Sequence, residues 1–216
     1  NTMSEHKLER GHQDHKGRIY LYKKYERFWH WSQAFLVIFM LITGFEIHGT
    51  YTLFGFGKAV NLHTLSAWAL LLLWFITIFW QFTTGEWRQY LPRVKASMVM
   101  VRYYAIGMFR GEPNPYHKTA EAKHNPLQGL AYLGLLQIVS PVIWISGLFY
   151  LFYAYWSPSM KAIMSLQWVA WAHTAGAFMM LIFFIVHVYL TTTGHTPLAH
   201  IKTMITGWED EEPEKH

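Results

Sequence analysis

Cysteine is absent from the 216 residues. The chain therefore builds no disulfide, no thiolate-bound iron–sulfur cluster and no cysteine-ligated zinc. Charge is scarce too: Asp, Glu, Lys and Arg make up 14%, against about 25% in an average soluble domain. The scarcity comes from several long uncharged runs, which exclude an ordinary soluble fold. Residues 1–28 are polar and lack an apolar h-region, so no cleavable signal peptide is expected there. No internal repeat is found.

What is present is apolar surface and imidazole. Hydrophobic residues are 52% and aromatics 18%, and there are 13 histidines. Any metal or metallocofactor would be held mainly by histidine. The net charge of +5 and pI of about 9.3 would suit nucleic acid in a soluble protein. Here the basic residues flank apolar runs, so the expected partner is membrane lipid and not nucleic acid.

Four runs have about the 20 apolar residues that a bilayer-spanning helix needs: 29–47, 62–82, 127–152 and 168–192. They predict an all-α, integral membrane four-helix bundle over 29–192, with tails at 1–28 and 193–216. Trp29, Trp31, Trp80, Trp87, Tyr153, Tyr155, Trp156, Trp168 and Trp171 crowd the ends, as interfacial belts do. Pro141 lies inside the third run and predicts a kink there.

Lys and Arg give the direction. Seven lie in residues 1–28, seven in 83–126 and two after 192, whereas 48–61 has only Lys58 and 153–167 only Lys161. The positive-inside rule then puts both termini and the 83–126 connection in the cytoplasm. In that connection, 91–109 reads as an amphipathic surface helix and 111–118 as a turn. The acidic end 209–216 reads as a solvated tail.

Four histidines sit in the outer turns of the runs: His30, His63, His173 and His187. Ionisable groups in a span are rare and mostly functional. His173 and His187 enclose thirteen uncharged residues. Their spacing is about 40° short of four helical turns, so both rings share a face about 21 Å apart in height. With the topology above, His30 and His187 lie at the inner level, and His63 and His173 at the outer level. A pair of imidazoles at one level is what bis-His haem b ligation needs, and a bundle core can hold the macrocycle. Gly44, Gly147 and Gly176, with Ala175 and Ala177, would let a flat ring approach a helix, although small residues equally serve helix packing. His48, five turns after His30, is a rival outer ligand or a haem propionate partner. A di-metal centre is a weaker alternative, with Glu46 the one carboxylate nearby.

ERFWHW (26–31), LH (62–63), KHNPLQG (123–129), HTAGAFMMLIFFIVHVYL (173–190) and MITG (204–207) together resemble the four-helix cytochrome b subunits of formate dehydrogenase (the gamma subunit), with relatives in nickel–iron hydrogenase and thiosulfate reductase. The resemblance implies two haem b groups, an inner one on His30 and His187 and an outer one on His63 and His173. It also implies a menaquinone or ubiquinone site near the inner haem, with Asn125 and His187 as its residues. Asn125 also reads as a helix cap before Pro126, and Pro126-Leu127 stands where the family has Ala-Gly. His124, His195 and His200 would carry protons or sit on the surface. His6, His12 and His15 read as part of a disordered tail.

The expected function is electron transfer and quinone binding within a membrane oxidoreductase complex of the bacterial inner membrane. Periplasmic redox subunits with iron–sulfur clusters or several haems would be the partners. A single-haem cytochrome b561-like carrier and a haem-free membrane anchor or channel are the alternatives.

Overall fold

The computed structural model describes residues 18–85, 135–192 and 198–210, apart from the placement of 193–195 and 197, together with Val99, Arg102, Ile106, Gly107, residues 110–112 and Thr196. Most of the 91–109 surface helix, most of the 111–118 turn, the start of the third run (127–134) and the tail 211–216 lie outside the described residues. So do His6, His12, His15, His124, Asn125 and His195.

The order is β1 (Arg18–Tyr20), α1 (Lys24–Ile47), α2 (Phe56–Thr84), a π-helical turn (Leu135–Val139), α3 (Ser140–Leu151), a 3-10 turn (Tyr153–Tyr155), α4 (Pro158–Ile163), α5 (Leu166–Thr191), α6 (Ala199–Thr206) and β2 (Trp208–Asp210). These residues fall into two compact units, one drawn from 1–87 and 189–216, the other from 88–188. Among the described residues, three helices are long and apolar enough to cross a bilayer: Lys24–Ile47, Phe56–Thr84 and Leu166–Tyr189. The fourth predicted span is described only over 135–151. There the π-turn passes into α3 beside Pro141. Proline has no N–H and crowds the carbonyl four residues back, so a wider turn accommodates it. The predicted kink is thus a change of helix type.

The burial pattern is inverted relative to a soluble protein. Thr43, Ser66, Thr77, Ser140 and Ser146 are buried, while Phe35, Phe75, Phe79 and Ile182 are exposed. Spanning helices bury small and hydroxyl residues against each other and give their large apolar side chains to lipid. Three of these hydroxyls return their proton to the preceding turn: Thr43 donates to the Phe39 carbonyl, Thr77 to Leu73 and Ser146 to Val142. Trp156, expected in the interfacial belt, turns inward instead and packs edge-on to Phe149.

In the first unit α1 and α2 are antiparallel neighbours. Tyr25 and Thr77 hydroxyls meet at 3.0 Å near one end, and Thr43 meets His63 at 3.0 Å near the other. Between the helices, Glu46 Oε1 accepts the N–H groups of Leu53, Phe54 and Gly55 at 2.7–2.8 Å. A buried carboxylate thus closes the turn and starts α2, since helix N-termini favour negative charge.

Both predicted tails are partly ordered. At the N-terminal side, α1 begins five residues early at Lys24, capped where Glu26 Oε2 accepts the Lys23 N–H at 2.7 Å. β1 pairs antiparallel with β2, Arg18 opposite Asp210 and Tyr20 opposite Trp208. The segment 208–210 is therefore strand, not solvated tail. Short strands carry too few alternating positions to announce themselves. α6 docks on the start of α1: Arg27 Nη1 donates to the Ile205 carbonyl, and Trp31 Nε1 to Met204 at 3.1 Å. The Gly207 carbonyl accepts Leu21 and Tyr22 N–H at 2.8 and 3.2 Å.

Gly207 holds φ +89, and a Cβ there would lie 2.6 Å from Tyr20 Cε2 and 2.7 Å from the Tyr22 carbonyl oxygen. Gly207→Ala should lower stability by about 1–3 kcal/mol, read as a lower thermal midpoint of the detergent-purified protein. Gly57→Ala, with nothing within 4 Å, is the matched control and should not lower it. Equal midpoints would show that the clasp adds nothing.

Candidate functional site

The four histidines expected as ligands divide two to each unit: His30 and His63 in the first, His173 and His187 in the second. All four are half-buried. On α1, Thr43 stands opposite His63, and thirteen residues separate it from His30, a rise of about 20 Å. On α5, fourteen residues separate His173 from His187, a rise of about 21 Å. Both units present two imidazoles at nearly the same axial spacing.

His63 and His173 are held by the same device. His63 Nδ1 lies 3.0 Å from Thr43 Oγ1, and a Cβ on the next residue, Gly44, would lie 3.5 Å from His63 Cε1. His173 Nδ1 lies 3.1 Å from Ser146 Oγ, and a Cβ on Gly147 would lie 3.2 Å from His173 Cε1. A hydroxyl-glycine pair seats each ring, on α1 for His63 and on α3 for His173.

The proton positions follow from the acceptors. Thr43 has one hydroxyl proton, directed at the carbonyls of Phe39 and Met40 at 3.0 and 3.2 Å. With its proton on either carbonyl, Thr43 is left as an acceptor toward His63 Nδ1, the arrangement in which that nitrogen carries hydrogen. Ser146 likewise directs its proton to the Val142 and Ile143 carbonyls. His173 Nδ1 also meets the Ile143 carbonyl at 3.1 Å, and a carbonyl only accepts. His173 is thus an Nδ1–H tautomer with its lone pair on Nε2, and the Thr43 contact suits the same tautomer at His63.

His30 lies edge-on to Trp31, centroids 5.1 Å apart. His187 stacks on Phe183 at 5.7 Å and 12°. His48 is the exposed C-cap of α1, beyond the last helical turn, which favours His63 over it. His200 is half-buried on α6. Among the described residues no three His, Cys, Asp or Glu side chains gather where they could hold a metal ion, and Glu46 is committed to the turn before α2.

The glycine expectation changes in detail. Gly44 and Gly147 admit imidazoles close to the helix. Gly176 is packed against Ile143, whose Cγ1 would stand 2.6 Å from an added Cβ, so it serves helix packing. Thr43 and Ser146 were not singled out from sequence. Their only signal there is a Thr-Gly and a Ser-Gly dipeptide near the ends of apolar runs.

A family profile described as prokaryotic cytochrome b561 matches residues 21–207. This chain belongs to the prokaryotic cytochrome b561 family. A relative in Escherichia coli (strain K12), named "Putative cytochrome YdhU", is 31% identical over 202 residues, covering 90% of this chain and 76% of its own length. No solved structure matches significantly. As a prokaryotic cytochrome b561, the chain is a multi-pass protein of the bacterial inner membrane, its cofactor is haem b and its work is electron transfer.

The residues fit that cofactor. Haem iron takes a neutral imidazole nitrogen, with the other ring nitrogen bonded to a carbonyl, carboxylate or water. His173 has that tautomer and the Ile143 carbonyl as such a partner; at His63 the Thr43 hydroxyl oxygen takes the corresponding place.

Gly147→Ala should push the His173 ring by a few tenths of an ångström and lower haem b content or broaden its reduced spectrum. Gly44→Ala, at ordinary contact distance, should change neither. Alanine favours helix by roughly 0.5–1 kcal/mol over glycine, so global instability does not explain the loss. Equal haem content in the two variants would show that the rings need no such seat.

Proposed function

We propose that the chain is a di-haem b subunit that carries electrons across the membrane between an outer redox partner and quinone near the cytoplasmic face. The observation that supports it is the matched spacing: about 20 Å between the His30 and His63 levels on one unit, and about 21 Å between His173 and His187 on the other. Two scaffolds with the same spacing suit two ligand pairs at two depths.

In this reading the three long helices and the segment containing α3 are the four spans. Both termini are cytoplasmic, as the sixteen-to-two split of Lys and Arg supports. His30 and His187 form the inner pair, and His63 and His173 the outer pair. Haem b bound at each pair supplies a one-electron centre. The helices hold the imidazoles in place, and the apolar side chains around them keep water out. Asn125 donates to a quinone carbonyl (menaquinone or ubiquinone) beside His187. Protons then exchange on the cytoplasmic side. The partner carries iron–sulfur clusters or several haems, because this chain has no cysteine to bind clusters.

Haem quantitation with a reduced-minus-oxidised spectrum tests the reading, and two haems b per chain are expected. His63→Ala and His173→Ala should each remove the same haem, and His30→Ala and His187→Ala the other. One haem in the wild type would replace the reading with the single-haem carrier. Asn125→Ala should lower quinone turnover with both haems retained. Unchanged turnover would leave Asn125 a helix cap only.

A further inference from the structure

Thr43 and Ser146 stand in the same relation to two different histidines on two different helix pairs. Each precedes a glycine that admits the ring. Each gives its proton to carbonyls three and four residues back in its own helix. With its proton so placed, each has lone pairs left for the imidazole. Both hydroxyls are buried, Thr43 fully and Ser146 at 5% exposure. Mere solubility or surface chemistry accounts for neither.

We infer that Thr43 and Ser146 are positioning residues that set the tautomer and the donor strength of His63 and His173, and so hold the outer haem at a lower potential than simple imidazole ligation would give. The inference rests on the proposed ligation of that haem by these two histidines. An oxygen that accepts from Nδ1–H draws the proton off the ring and leaves Nε2 more basic. A more basic axial ligand favours ferric over ferrous iron, so it lowers the reduction potential. Axial-ligand hydrogen bonding is one of the few levers a protein has on haem. In hydrocarbon no water replaces a lost acceptor, so the effect is not buffered by solvent. His173 has two acceptors, Ser146 Oγ and the Ile143 carbonyl, both at 3.1 Å. Removal of the Ser146 hydroxyl therefore leaves the ring oriented and changes only its donor strength.

The test is a redox titration of the purified protein, followed by visible spectroscopy, on Thr43→Val, Ser146→Ala and the double variant. Valine keeps the shape of threonine. The outer haem should titrate at higher potential in each single variant, and the two shifts should add on that one haem. In the double variant the reduced-to-oxidised ratio at fixed ambient potential should rise about tenfold, a shift of about 59 mV for a one-electron couple. The inner haem should not move. Thr43→Ser and Ser146→Thr restore the acceptor and should titrate as wild type. Loss of the outer haem from Thr43→Val, with retention in Thr43→Ser, would support the same role through ligand orientation. Two haems at wild-type potentials in the double variant would overturn the inference. Failure of the ligand assignment reads differently: His63→Ala would then keep its full haem content.

Discussion

An imidazole carried into a spanning bundle brings an N–H that must be given to some acceptor, and most carbonyls of a spanning helix are engaged in its own ladder. The chain meets this constraint with hydroxyls. A serine or threonine can return its own proton to the preceding turn and still keep lone pairs for a neighbour. That property places Thr43 opposite His63 and Ser146 opposite His173. It brings each ring against the residue that follows the hydroxyl, and at Gly147 the approach is too close for a Cβ to fit without displacing the imidazole. The helix pairs α1–α2 and α3–α5 are thus registered by polar contacts inside otherwise apolar surfaces. Packing of Leu and Phe alone would leave that register loose, since lipid satisfies those side chains equally well.

Much of this was legible in the sequence, for physical reasons that differ by element. Spans are read from length and charge because hydrocarbon thickness leaves little freedom. His173 and His187 are read as one face because helix geometry fixes phase and rise. The hydroxyl seats were not legible. A threonine in a spanning helix is unremarkable until the fold shows whose ring it meets. Nor was the pairing of Arg18–Tyr20 with Trp208–Asp210, since three residues show no periodicity and their partner lies at the far end of the chain. Pro141 illustrates the middle ground: the disturbance was foreseeable, but its form as a π-turn was set by the surrounding helix.

The family match and the geometry describe different properties of the protein. The first assigns the chain to the cytochromes and names its cofactor. The second shows His63 and His173 each held against a hydroxyl, and on each unit two imidazole levels about 20 Å apart along the helix. The polar clasp formed by Arg27, Trp31, Gly207 and the two short strands adds a third element. It ties α6 to the first turns of α1 on either side of His30, and so steadies the helix on which that ring is carried.

Glu46 has a consequence of its own. One carboxylate oxygen holds the amides of Leu53, Phe54 and Gly55, so those three protons share one gatekeeper. In a hydrogen-exchange experiment they would not fray one after another from the helix end. They would open together, in a single event that also uncovers a buried charge. The last turn of α1 and the first turn of α2 thereby behave as one foldon, and the level of His63 is anchored from above as well as from the side.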